Sequence, residues 1–292
     1  MEKVIYEKDG RIGRITLNRP EVMNAIDDEL PSALAECVSS ADTDPDIHVI
    51  ILSGSGPAFC AGYDLNYYAE NKVKTSVTQD MPWDPIQDYS FMWRNTQHFM
   101  SLWHAMKPVI CKVHGYAVAG GSDIALCADI TFMGETAEIG YMPARVWGTP
   151  TTAMWVYRIG IERAKRLLLT GDLIDGKQAE KWGLGQVVTD EHLGDEVEKL
   201  AHRIVSIPRN QLIMKKILAN QVLENMGFAS SQTLATIFDG MARHSPEGIN
   251  FKKRAEKLGW KKAVQERDEG NFDWTSDPKR QPLFNEPDMS YG

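Results

Sequence analysis

The chain has 292 residues, 43% hydrophobic and 25% charged, with a net charge of −8 and a pI near 5.4. That length and apolar content can bury a large core in one or two domains, which excludes a disordered chain, a collagen repeat and a coiled coil. The acidic balance argues against a general nucleic-acid binder, and with no run near the roughly 18 apolar residues of a membrane span, a soluble, untargeted cytoplasmic protein is expected.

In chain order, VIYE and RIGRITLN flank Asp9-Gly10, a pair suited to the positive φ of a tight hairpin turn. From Asp27 to about Ser40, Leu30, Leu34, Cys37 and Val38 recur at three- and four-residue steps, which predicts an amphipathic helix capped by Asp27 or Asp28. Ile47 to Leu52 is a β-branched run apolar on both faces, as in a buried strand of a layered α/β structure. Asn66 to Asp88 is polar, carries Pro82 and Pro85, and reads as a loop or lid. A helix is expected over Tyr89–Met106, then a strand at Val109–Val113, a glycine-bearing turn, a short helix from Ser122 and a strand at Asp129–Phe132. This alternation is the grammar of α/β proteins. After Pro208 helical periodicity dominates, so a boundary is placed near Ser206, dividing 1–206 from a helical region 207–292 with an extended tail.

Cys37, Cys60, Cys111 and Cys127 form no CxxC pair and read as small buried hydrophobes in a reducing compartment. The histidines show no metal-ligand spacing, so no metal is expected. Two glycine-bearing turns are the candidate chemistry: Ala58 to Leu65 after a buried strand, and Gly115 to Asp123 before a helix. Gly120 and Gly121 at a helix N-terminus either make a turn or present unpaired N–H groups to an oxyanion. The run is neither a P-loop nor a GxGxxG fingerprint. Asp123 on the first turn either caps the helix or moves a proton on the ligand held by that turn.

The two turns together resemble the enoyl-CoA hydratase/isomerase, or crotonase, superfamily. So do RITLNRPEVMNAI, KPVICKVHGYAVAGG, GYMPARVWGTP and RAKRLLLTGDLIDGKQAEKWGLGQVV, in the same order, over residues 4–190. The resemblance implies an α/β fold, a crotonase-like spiral of ββα units with a C-terminal helical oligomerisation module building homotrimers or homohexamers. It implies an acyl-CoA thioester substrate, coenzyme A being part of the substrate and not a separate cofactor, with no nucleic-acid or membrane partner. Its oxyanion hole maps onto the N–H groups of Tyr63 and Gly120. Its CoA contacts map onto Ala61, Gly62, Asp64, Leu65 and Asn66, the last standing where lysine is frequent.

Hydratases of this family use two glutamates. The first maps onto Asp123, one methylene shorter. The second maps onto Pro143 or, with prolines aligned, Ala144, neither of which transfers a proton. Dienoyl isomerases need a further acid where this chain has Thr151, so that subfamily is not expected. Candidates for the missing role are Tyr141, Arg145, Tyr67, Tyr68 and Glu138, whose plainer readings are pocket wall, ion pair or loop. Trp147 is expected to line an acyl pocket, and His114 to be a hydrogen-bonded core histidine. The expected activity is an enoyl-CoA hydratase-like lyase with Asp123 as general acid/base. A decarboxylase, hydrolase, carbon–carbon lyase, isomerase or non-catalytic acyl-CoA binder are the rivals, and a substrate carboxylate would suit Arg145.

Overall fold

The structure, a computed structural model, describes residues 2–71, 75 and 77–270, so the expected tail from 271 onward and part of the expected lid lie outside it. A six-stranded sheet runs in the order β1 (Val4–Asp9), β2 (Ile12–Leu17), β3 (Val49–Gly54), β4 (Val109–Val113), β6 (Ile130–Gly134), β9 (Gln186–Val188). β1 and β2 are the antiparallel hairpin, with Asp9 opposite Ile12 and Gly10 at φ +58° in the turn; every later pairing in this sheet is parallel. A second sheet joins β5 (Tyr116–Val118) parallel to β7 (Glu138–Gly140), and β7 antiparallel to β8 (Leu173–Asp175).

The large sheet is buried on both faces, as the unbroken apolar run of β3 requires. One face packs Ile15, Leu17, Ile50 and Leu52 against α1 (Leu30–Thr43), α2 (Pro85–His104) and α3 (Gly120–Leu126). The other packs Ile12, Val49, Ile51 and Ile110 against α7 (Leu193–Val205) and Leu212 of α8 (Arg209–Asn225). In chain order α4 (Met154–Ile159), α5 (Ile161–Thr170) and α6 (Gly176–Trp182) come between α3 and α7. The chain closes with α9 (Phe228–His244), α10 (Pro246–Leu258) and α11 (Trp260–Glu269). No helix among the described residues is long and apolar enough to cross a membrane.

Local chemistry sets the helix ends. α1 begins three residues later than Asp27 because Asp27 Oδ1 accepts the N–H groups of Glu29 (3.1 Å) and Leu30 (3.0 Å). α2 begins earlier than Tyr89 because Asp84 caps Ile86 and Gln87, with Pro85 in the first turn. Within the expected lid, Asn66–Glu70 forms a short π-helical turn with Tyr68 and Ala69 buried. They join Val77, Met92, Val146, Trp147 and Phe251 in a satellite cluster, and Tyr63 packs against both this cluster and the main core. Of the candidate residues, Tyr63 stands at that seam.

Candidate active site

Two short parallel bridges, Ile26 with Tyr63 and Cys60 with Ala117, bring the glycine turns together. Ile26 N–H donates to Gly62 O (2.8 Å) and Asp64 N–H to Ile26 O (2.9 Å), so the pairing skips the Tyr63 N–H. Among the described residues neither the Tyr63 nor the Gly120 N–H donates to a backbone carbonyl. Ala119 is held at φ 52°, ψ −127°, a region that L side chains rarely occupy. Its N–H is fixed to Gly140 O (2.9 Å), and its carbonyl accepts Ser122 N–H (2.9 Å) and Oγ (2.6 Å). This strained turn directs the first N–H of α3 away from the helix. Gly62, at φ +86°, allows the approach: a Cβ there would lie 2.7 Å from Ala119 Cβ and 3.4 Å from Gly120 N. Two unengaged amides thus sit on closely packed turns, and a pair of preorganised N–H groups is what stabilises an oxyanion.

Asp123, on the first turn of α3, is 2% exposed. Its Oδ1 accepts a short hydrogen bond from Thr152 Oγ1 and a longer one from Thr152 N–H (3.4 Å). Burial pushes the carboxyl up to about 7; the Thr152 bonds oppose that rise, and the Asp239 charge adds to it. A buried carboxyl balanced near neutrality is suited to taking and returning a proton.

The segment carrying Thr152 is anchored by α9. Gln232 Nε2 donates to Thr152 O (3.1 Å), Thr149 N–H to Asp239 Oδ1 (3.0 Å) and Thr149 Oγ1 to Ala235 O (2.8 Å). From the other side Tyr141 Oη donates to Thr149 O (2.7 Å), and Thr96 Oγ1 to Thr151 Oγ1 (2.7 Å). Asp239 Oδ2 accepts Arg243 Nη2 (2.9 Å), and Arg243 makes a two-point pair with Asp88 of α2 (2.8 and 2.9 Å). A Cβ on Gly148 would lie 3.2 Å from Asp239 Oδ1, 3.2 Å from Pro143 Cβ and 3.3 Å from Tyr141 Oη, which puts those three side chains on one wall.

The structure brings Tyr63, Gly120, Asp123 and Tyr141 to this seam and places the other candidates elsewhere or in other bonds. Arg145 is committed to Thr170 O (2.8 Å), Asp268 (3.0 Å) and Asp172 (3.5 Å). Tyr67 and Tyr68 both donate to Asp28 (3.1 and 2.6 Å). Trp147, at φ 87°, packs on Phe251 with ring centroids 5.2 Å apart. Glu138 is half-buried in β7, and His114 Nε2 bonds with Gly56 O (2.9 Å). Ala61 N–H donates to Met23 O (3.0 Å), Asp64 pairs with Arg19 (3.4 Å), Leu65 is half-buried and Asn66 exposed. Sequence reasoning did not reach Thr152, Asn95, Asp239 or Arg243. Only the last two carried a signal, an acid and a base four apart on one helix face.

Residues 7–262 match the family model for enoyl-CoA hydratase/isomerase. A crystal structure of an enoyl-CoA hydratase from Mycobacterium smegmatis is 47% identical, covers 93% of this chain and 94% of that one, and superposes with a TM-score of 0.87. A probable mitochondrial enoyl-CoA hydratase of Dictyostelium discoideum is 32% identical over 75% of each chain. The 1,2-epoxyphenylacetyl-CoA isomerase of Escherichia coli is 32% identical over 77% of this chain and 84% of its own.

Proposed function

The chain belongs to the enoyl-CoA hydratase/isomerase family, and from that premise we propose that it is a hydratase-like lyase acting on an acyl-CoA thioester. The observation that carries this reading is the pair of unengaged N–H groups of Tyr63 and Gly120 beside the buried Asp123 carboxyl. Water adds to the β-carbon of an enoyl thioester while negative charge collects on the thioester oxygen. Two preorganised amides lower the energy of that enolate by about 3 kcal/mol each. The Asp123 carboxylate takes one proton from the attacking water, the hydroxide goes to the β-carbon, and Asp123 returns the proton to the α-carbon, so one water is consumed and the carboxylate restored.

Coenzyme A enters as part of the substrate, with Ala61, Gly62, Asp64, Leu65 and Asn66 along its approach. Four free cysteines support a reducing, cytoplasmic setting. Exposed Met214, Ile217, Leu218 and Val222 on α8, with Leu234, Ile237, Phe238 and Met241 on α9, support assembly into trimers or hexamers.

The test is incubation with crotonyl-CoA in D₂O, following enoyl absorbance and product mass. Wild type is expected to hydrate and to place deuterium on the α-carbon, and Asp123→Asn to lose about 100- to 10,000-fold in rate. Binding of the thioester with neither hydration nor exchange overturns the lyase reading.

A further inference from the structure

Two polar side-chain atoms at the seam have no hydrogen-bond partner among the described residues although both are fully buried: Tyr63 Oη and Asn95 Nδ2. Buried polar groups are nearly always paired, so two adjacent exceptions call for a cause. Their place supplies it. Tyr63 lends its N–H to the oxyanion turn, and its ring lies against the other half of that turn, since a Cβ on Gly120 would sit 3.0 Å from Tyr63 Cε2. The phenol on that ring is thus buried beside the oxyanion turn, within reach of the Asp123 and Asp239 charges. Asn95 projects from the buried face of α2, next to Thr96, which is bonded to Thr151. Its amide is near enough to temper the upward shift that burial gives the phenol, yet the two make no hydrogen bond of acceptable geometry.

Both groups offer a donor, so they fit an acceptor atom. The surrounding charge limits which. The Asp123 and Asp239 carboxyls and the Arg243 guanidinium all act on the Tyr63 phenol. Arg243 is wholly engaged, with Asp239 on Nε and Nη2, Asp88 on Nη1 and Nη2, and Val77 O on Nη1. Two carboxylates share that one cation, and Arg145 is tied to Asp172 and Asp268. Arg243 and Arg145 are therefore both engaged, and a second anion would meet Asp123 and Asp239.

We propose that Tyr63 Oη and Asn95 Nδ2 form a polar subsite for a neutral oxygen, a hydroxyl or carbonyl on the acyl chain, so that the substrate class is oxygenated acyl-CoA and not plain hydrocarbon acyl-CoA. The proposal rests on the acyl-CoA reading above and refines it. A subsite built to bind an oxygen discriminates strongly against an analogue lacking it, because the buried groups are then left unpaired.

The experiment compares kcat/KM for the six-carbon plain enoyl-CoA with that for its counterparts bearing a hydroxyl on carbon four, five or six, and for one ending in a carboxylate. Wild type is expected to favour at least one hydroxylated substrate by about 10- to 100-fold. Tyr63→Phe and Asn95→Leu are each expected to bring that ratio close to one. The ratio is internal to each variant, so a general loss of rate cancels. Tyr63→Phe also removes an unpaired buried hydroxyl, and its melting temperature without substrate is expected to rise by about 2 °C. Equal rates for plain and hydroxylated substrates, a preference surviving both substitutions, or a carboxylated substrate turned over best would each overturn the subsite while leaving the acyl-CoA reading intact. Failure of every probe to bind or react overturns both.

Discussion

Asp123 shows how one residue's surroundings set both its chemistry and its cost. Its folded-state pKa of about 7 stands above the ordinary carboxyl value of 3.8 because burial outweighs the Thr152 hydrogen bonds. The folded chain therefore holds this proton more tightly than the unfolded chain. Stability from this group is complete below about pH 4, is lost as pH rises through about 7, and is flat above, a change on the order of 4 kcal/mol. Asp123→Asn is accordingly expected to raise the melting temperature at pH 8 and to raise it clearly less at pH 5, which thermal melts at the two pH values would check. In catalysis the carboxylate must be ionised to accept a proton from water, so kcat/KM is expected to rise with pH to a plateau above about 7. Thr152→Val removes a donor that favours the ionised form, and should move that limb upward by about one unit. A limb unmoved in Thr152→Val would show that another group titrates. The sequence displayed Asp123 beside its glycine turn, but its neutralising burial and its Thr152 partner, twenty-nine residues on, have no local signature.

At the scale of the element, α9 is apolar toward solvent and polar toward the protein. Its buried side chains are Phe228, Gln232, Thr236, Asp239, Arg243 and His244, whereas Leu234, Ile237, Phe238 and Met241 are exposed. Periodicity in the sequence reveals that such a helix has two faces, not which one turns inward. That is why the helical region was legible and its contribution to the site was not. The strands of the large sheet were easier to read, since β-branched runs such as Val49–Leu52 can be buried only on both sides. The inward polar face is held to α2 by Arg243 between Asp88 and Asp239. Replacing Arg243 with Met leaves two carboxylates buried without a counter-charge and is expected to lower stability by about 3–5 kcal/mol at pH 7. The deficit should shrink as pH falls toward 5. Burial already pushes the Asp88 carboxyl up and Arg243 opposes that rise, so without Arg243 Asp88 holds its proton more tightly when folded, and that favours the acid form. Urea denaturation at the two pH values checks this, and a deficit independent of pH would mean that the loss is packing alone.

For the whole molecule, α8 and α9 each turn an apolar stripe outward. Leu218 is 72% exposed and Val222 57%, values at odds with a monomer's ordinary economy of apolar surface. Residues 214, 217, 218 and 222 repeat at helical spacing, as do 234, 237, 238 and 241, so each stripe is one helical face that further copies could cover. Light scattering at micromolar concentration is expected to give three or six times the chain mass for wild type, and one chain mass for Leu218→Lys combined with Phe238→Lys. The consequence should extend inward. The helix whose outer face carries Phe238 also carries, on its inner face, Gln232 and Asp239, which fix the segment bearing Thr152. Loosening α9 would thus release the Thr152 bond that keeps Asp123 from shifting further. The dissociated variant is expected to keep its helical circular dichroism, to lose rate, and to show the same upward displacement of the pH limb as Thr152→Val. Dissociation with an unchanged pH profile would mean that assembly and catalysis are independent, the outer face of α9 serving only to join subunits.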